Sequence, residues 1–121
     1  MTATEALSTL VQATLESSKA RRFVALATSK KRQSKLLDSL AHHFESAVKP
    51  ETVVAQVPSK IRQSPCYVFH YRRGYGVQFP TFDDAYDDLS TDDSWLIVSA
   101  DGSVGMHRPE SRWDAERVFA G

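Results

Sequence analysis

The strongest chemical signal in this sequence is a cluster of cations that no acidic residue interrupts. Between Glu16 and Asp38 the chain has seven Lys or Arg residues and no Asp or Glu. The hydroxyl side chains of Thr28 and Ser29 lie in the middle of this cluster. If a helix begins there, its first backbone N–H groups, the two hydroxyls and the nearby cations form a site suited to an anion.

The leading hypothesis is a small non-catalytic binding protein that uses this strand-to-helix turn to hold a phosphate-bearing partner, such as nucleic acid, or an acidic partner. The glycine-rich spacing of a phosphate-binding loop is missing, so no nucleotide cofactor is predicted. The structural alternative is a basic turn that is simply solvated, with its side-chain stems covering apolar surface. The predicted anion-binding residues lie in the turn or just before it: Arg21, Arg22, Thr28, Ser29, Lys30, Lys31, Arg32 and Lys35.

A second set of aromatic and basic residues offers a further contact for nucleic acid. Aromatic rings lie beside cations in this set, and such rings stack on unpaired bases. The residues are Tyr71, Arg72, Arg73 and Tyr75. The alternative for these tyrosines is packing within a hairpin. The whole chain has 15 basic and 15 acidic residues, whereas nucleic-acid-binding domains are usually basic.

Six aspartates lie in the acidic segment, residues 81–93. Asp83, Asp84, Asp87 and Asp88 repeat at helical spacing, which indicates a solvated helix face rather than a metal-binding loop, and no metal site is predicted. The second hypothesis is therefore a protein-interaction or inhibitor module whose acidic segment and Asp-Gly hairpin bind a basic protein. The same surface suits the basic patch of a second copy, which would give a homodimer.

A weaker third hypothesis is an enzyme built on Cys66, the one cysteine of the chain. A thiol nucleophile needs a base, and His70 or His107 would supply it if their strands bring them close. No known signature of a cysteine nucleophile surrounds Cys66, which also fits a small apolar position in a buried strand. No catalytic residue is assigned, and a binding protein is preferred to an enzyme.

Composition indicates one globular domain over residues 1–121. The net charge is zero, but residues 1–63 carry +5 and residues 64–121 carry −5, a division that concerns partners rather than fold. The single cysteine excludes an internal disulfide and fits a reducing compartment. The N-terminus lacks the features of a signal peptide and no apolar run is long enough to span a bilayer, so we expect a cytoplasmic protein without membrane contact.

The elements of the N-terminal half would place the cation cluster between a strand and a helix. Thr2 and Glu5 have the spacing of a capping box. The apolar run 23–27 predicts a buried strand, although its period alone also fits a continuing helix. It would pair in parallel with the next strand through a right-handed crossover. The predicted elements are a helix over 2–18, a strand over 23–27, a helix from Thr28 or Ser29 to 48 and a strand over 52–57.

The C-terminal half predicts hairpins around one helix. Asp101 and Gly102 are typical of a type I′ turn, in which both central residues have positive φ. Residues 108–121 fit neither helical nor strand period. The whole order predicts an α+β, two-layer domain with a mixed, mostly antiparallel sheet and helices largely on one face. The predicted elements are strands over 66–71 and 77–79, a helix over 81–89, and strands over 94–100 and 103–107.

Overall fold

The computed structural model describes residues 1–38, 44, 47–109 and 116–121 of the chain. The described strands form one antiparallel sheet of six strands in the order β1-β6-β5-β4-β2-β3. The predicted α+β class, with a largely antiparallel sheet, is confirmed. The strands are β1 (Val53–Val54), β2 (Cys66–His70), β3 (Gly74–Phe79), β4 (Trp95–Ser99), β5 (Val104–Arg108) and β6 (Arg117–Ala120).

The larger helical layer covers one face of this sheet, and a smaller one covers part of the other. The longer helices pack together on the first face, as the prediction of helices largely on one face requires. The described helices are α1 (Ala3–Thr14), α2 (Ser17–Thr28), α3 (Gln33–Asp38), α4 (Ser59–Arg62) and α5 (Phe82–Leu89), with 3-10 turns at Lys30–Arg32 and Pro50–Thr52. None of them is long and apolar enough to cross a membrane.

Alternate residues of the strands supply two cores, one on each face. On the first face Phe69, Leu96 and Phe119 pack against α1, α2 and Phe44. On the second face Trp95 and Ile97 pack against the buried side of α5. Because successive strand residues point to opposite faces, the apolar strands β2 and β4 serve both cores at once.

Helix α1 begins as predicted and lies close to the sheet. The hydroxyl of Thr2 accepts a hydrogen bond from the Glu5 N–H, and the Glu5 carboxylate accepts one from the Thr2 N–H, both at 3.1 Å. Gly102 has a φ of +75°, and a Cβ there would lie 2.6 Å from the carbonyl oxygen of Ala6. Gly105 similarly leaves room for Leu10, so glycines on the sheet side permit the close approach of α1.

The predicted strand at 23–27 is wrong, because these residues belong to helix α2. Ala20, Phe23 and Ala27 are its buried residues, and this spacing forms one helical stripe against the core. The parallel crossover is therefore wrong as well. The predicted strand at 52–57 shortens to β1, which pairs antiparallel with β6.

The helix predicted from Thr28 or Ser29 to residue 48 begins later and differently. A 3-10 turn comes first, and α3 follows it. Residues 39–43 and 45–46 of that prediction lie outside the described residues. Val48 forms an isolated antiparallel bridge with Leu15.

The C-terminal half follows its prediction more closely. Strand β2, helix α5 and strands β4 and β5 are confirmed within a residue or two, and the hairpin β2–β3 is confirmed with β3 beginning three residues earlier than predicted. The type I′ turn is wrong, because Gly102 has positive φ while Asp101 does not. Instead the Asp101 carboxylate accepts hydrogen bonds from the Ser103 N–H at 2.9 Å and the Ser99 hydroxyl at 2.8 Å. The unassigned tail contains β6, and its residues 110–115 lie outside the described part of the chain.

Candidate anion-binding surface

The predicted strand-to-helix turn is a helix-to-helix turn, which changes the roles of its two hydroxyl residues. Thr28 is the last residue of α2, and its hydroxyl donates to the Val24 carbonyl oxygen at 2.9 Å. The Ser29 N–H donates to the Leu26 carbonyl oxygen at 3.3 Å, and the Ser29 side chain caps no helix. The predicted N-cap role of these residues is therefore wrong, because the residues after Ser29 form a 3-10 turn that neither side chain caps.

The basic corner, Lys30, Lys31 and Arg32, comes directly after the carboxyl end of α2. All three side chains are exposed. Cations at the start of a helix oppose its dipole, whereas cations just beyond the carboxyl end interact favourably with it. The change from strand to helix before the corner therefore makes the position of these charges locally favourable.

The end of α2 is fixed to the sheet beneath the basic corner. The carbonyl oxygen of Ala27 accepts a hydrogen bond from the Tyr75 hydroxyl at 3.2 Å and another from Gln33 Nε2 at 3.3 Å. Tyr75 belongs to β3, and its ring packs edge-on against Phe69, with 4.9 Å between ring centroids. The corner is thus a supported turn rather than a loose loop.

Two further predicted cations lie on the solvent side of α2. Arg21, Arg22, Ala25 and Thr28 are all exposed and form one continuous side of the helix that ends at the basic corner. Arg22 lies roughly 9 Å from Thr28 along the helix axis, from the rise of 1.5 Å per residue. We call this surface, Arg21 and Arg22 with the basic corner, the basic face. Lys35 is exposed on the neighbouring helix α3.

The described aspartates of the second half of the chain do not neutralise the charges of the basic face. No carboxylate among the described residues forms an ion pair with Arg21, Arg22 or the basic corner. The aspartates instead pair with other arginines. The ion pairs are Arg62–Asp83 at 2.9 Å, Arg72–Asp92 at 2.7 Å and Arg73–Asp88 at 3.1 Å.

Three of the four side chains predicted to contact unpaired bases have partners within the fold. Arg72 and Arg73 are engaged in the ion pairs just described, and Tyr75 is half-buried with its hydroxyl bonded to Ala27. Of the two tyrosines only Tyr71 is well exposed, at 58%, and the Arg72 guanidinium lies over its ring. Tyr75 therefore fits the alternative prediction, in which the tyrosine packs within the hairpin.

Cys66 and the two described histidines, His70 and His107, do not form a nucleophilic site. Cys66 is fully buried, its thiol donates to the Thr81 carbonyl oxygen at 3.6 Å, and burial raises its pKa to about 12. A thiol is a nucleophile only as the thiolate. His107 lies opposite Leu96, which lies opposite Phe69, so His70, the residue after Phe69, points to the other face of the sheet. Cys66 belongs to the core of the second face, whereas His107 stacks on Phe44 of the first, so His107 does not supply a base to Cys66.

His70 has a structural role at the turn after β2. Its Nδ1 accepts hydrogen bonds from the backbone N–H groups of Arg72 at 3.3 Å and Arg73 at 3.4 Å. Its Nε2 lies 3.8 Å from the carboxylate of Asp92. Burial lowers the pKa of His70, and the Asp92 charge opposes that shift. The neutral ring thus holds the turn that carries both arginines.

No group of three or more His, Cys, Asp or Glu side chains in the described part of the chain is arranged to hold a metal ion. Comparison of the chain with protein-family models, with curated proteins and with solved structures gives no match.

Proposed function

We propose that this protein is a non-catalytic binding protein that holds a phosphate-bearing or acidic partner on its basic face. The observation that carries the proposal is the contrast in pairing: the basic corner is exposed and pairs with no described carboxylate, whereas three aspartates of the acidic segment pair with arginines. Unpaired surface charge attracts a partner of opposite sign over distances near the Debye length.

The geometry favours an extended polyanion over a single phosphate group. The cations lie along an exposed helix side and a 3-10 turn rather than around one point. Such a surface gains affinity from releasing counterions along a charged chain, so its binding weakens steeply with salt. A nucleic-acid strand has the required repeated phosphates, and an acidic protein segment offers repeated carboxylates.

The interaction module at the acidic segment remains the alternative prediction, together with a homodimer that joins acidic and basic surfaces. The internal ion pairs of Asp83, Asp88 and Asp92 reduce the charge that this surface presents to a basic protein. We place the protein in the cytoplasm, where its single buried thiol would stay reduced.

The test compares two variants that remove the same number of positive charges. The first is Lys30→Ala with Lys31→Ala in the basic corner, and the control is Lys49→Ala with Lys60→Ala elsewhere. Binding to a fluorescent single-stranded oligonucleotide and to polyglutamate is measured by anisotropy over a range of salt. We expect the corner variant to lose roughly tenfold or more at low salt and the control to stay near the parent.

Adding Arg32→Ala to the corner variant should reduce the salt slope of log Kd by about 2 in total, at about 0.7 per phosphate contact of a single strand. The preferred probe decides between a phosphate-bearing and an acidic partner. The proposal is contradicted if the triple variant binds both probes as tightly as the parent at low salt, or if the control loses as much as the corner variant.

A further inference from the structure

A groove lies on the second face of the sheet, beside α5 and strands β5 and β6. Its volume is about 390 Å³. Met106 and Val118 on the strands form its floor, and Val57 and Phe82 stand at its sides. Small-molecule sites are typically concave, of a few hundred Å³, and mostly apolar with a few polar groups. The groove has this size and apolar floor.

One wall of the groove includes Tyr86 and Glu116, which form a chain of three polar side chains with Arg108. The Tyr86 hydroxyl donates to Glu116 Oε1 at 2.5 Å, and Arg108 Nη1 donates to Glu116 Oε2 at 2.9 Å. Arg108 and Glu116 are each only 24% exposed. The hydrogen bond to the carboxylate raises the pKa of Tyr86 and lowers that of Glu116. Tyr86 therefore stays a donor, and Glu116 stays an ionised acceptor that faces the groove.

A second ion pair at the groove balances its charges in the same way. Arg62 Nε donates to the Asp83 carboxylate at 2.9 Å, and both residues line the groove. Among the described residues, the two arginines at the groove, Arg62 and Arg108, thus already have carboxylate partners. A charged ligand would leave its charge unmatched there, whereas an uncharged ligand would not. The lone pairs that remain on Glu116 still accept a hydrogen bond.

We propose that this groove binds a small, uncharged ligand with a flat apolar ring body and one N–H donor directed at Glu116. The ring would lie on Met106 and Val118, between Phe82 and Val57, and the donor would add a charge-assisted hydrogen bond. This site is separate from the basic face, which lies beside the other face of the sheet, so either proposal can fail without the other.

The chain offers a direct spectroscopic test, because Met1 and Met106 are its two methionines. Protein labelled with ¹³C at the methionine methyls gives one signal from the groove and one from the exposed N-terminus. Indole and benzofuran are the probes, since they share a bicyclic shape and differ at the N–H donor. We expect a saturable shift of the Met106 signal, an unmoved Met1 signal, and roughly tenfold tighter binding of indole, as a hydrogen bond to a charged group implies.

Glu116→Gln tests the donor contact while keeping the shape of the groove. We expect this variant to bind both probes and to lose most of its preference for indole. Val118→Phe fills the floor and should abolish the Met106 shift for both probes. The proposal is overturned if the parent shows no saturable Met106 shift, or if indole and benzofuran bind equally. It is also overturned if the oligonucleotide used for the basic face competes with indole.

Discussion

The two sides of the sheet carry opposite charge, and they hold it in different ways. On the side of α5 the carboxylates of Asp83, Asp88 and Asp92 pair with arginines from α4 and from the turn after β2. On the side of α2 the basic corner has no such partner among the described residues. Charge on the acidic side is therefore used to hold elements together, whereas charge on the basic side is left for solvent or a partner.

The two buried histidines repeat this contrast. His70, on the acidic side, accepts two backbone hydrogen bonds and has the Asp92 carboxylate nearby. His107, on the other side, stacks on Phe44 with ring centroids 5.5 Å apart and has Arg117 opposite it on β6. Burial, reinforced by the charge of Arg117, lowers the pKa of His107 to about 4. A buried base with no carboxylate partner among the described residues thus opposes its own protonation.

The largest expected effect is acid destabilisation through His107. Its pKa falls from 6.5 in the unfolded chain to about 4 on folding, so the unfolded chain binds more protons between these values. Above pH 6.5 His107 causes no loss of stability, because it is neutral in both states. The free energy of unfolding should fall by about 3 kcal/mol as the pH drops from 6.5 to 4. Urea unfolding of the parent and of His107→Phe at several pH values measures this difference.

The variant is needed because carboxylates and His70 also contribute to the pH dependence. Replacing His107 by Phe keeps a ring against Phe44 and removes a buried Nε2 that has no hydrogen-bond partner among the described residues. We expect the variant to match or exceed the parent at pH 7 and to lose less stability below pH 6. Equal losses in parent and variant would show that His107 does not carry the effect.

The fold was predictable where local signals agree with each other. The capping hydroxyls Thr2 and Thr81 mark the starts of α1 and α5, and each accepts the expected backbone hydrogen bond. Strand β4 was equally clear, because its residues are apolar and bounded by turn residues. Helix α2 was missed because a five-residue apolar run fits either period. Its helical conformation depends on packing against α1, and the residues of the run themselves carry no signal of that contact.

The candidate surface was predictable in composition but not in pairing. The cations of the basic corner stand out in the sequence, since no acid lies near them. Whether they stay unpaired depends on which carboxylates the fold brings close, and Arg72 and Asp92 are twenty residues apart along the chain. The wall residue Glu116 was missed for a related reason: it lies in a tail without clear periodicity and finds Tyr86 and Arg108 only through the sheet.

A smaller effect tests whether the acidic side uses its charge for stability. Arg73 and Asp88 form an ion pair at 3.1 Å, with side chains 50% and 33% exposed. A double-mutant cycle of Arg73→Ala and Asp88→Asn should give a coupling between about 0.2 and 1 kcal/mol, because exposed pairs are weakened by solvent. Urea unfolding at low and high salt measures it, and the coupling should shrink as salt is added. A coupling of zero at low salt would remove the contrast between the two sides.

The smallest expected effect is the change in stability when the three cations of the basic corner are removed. The triple change Lys30→Ala, Lys31→Ala and Arg32→Ala removes exposed side chains with no described ion pair, so the free energy of unfolding should change by less than about 0.5 kcal/mol. Lost interactions with the carboxyl end of α2 and relieved repulsion among the three cations act in opposite directions.

The same triple variant separates stability from binding. A ligand that binds only the folded state raises its melting temperature. We therefore expect an oligonucleotide to stabilise the parent at low salt and to leave the triple variant unchanged, while Arg73→Ala lowers stability and keeps the response to oligonucleotide. If the triple variant instead loses stability as Arg73→Ala does, the basic corner is held by contacts within the fold, and the two sides of the sheet use their charge in the same way.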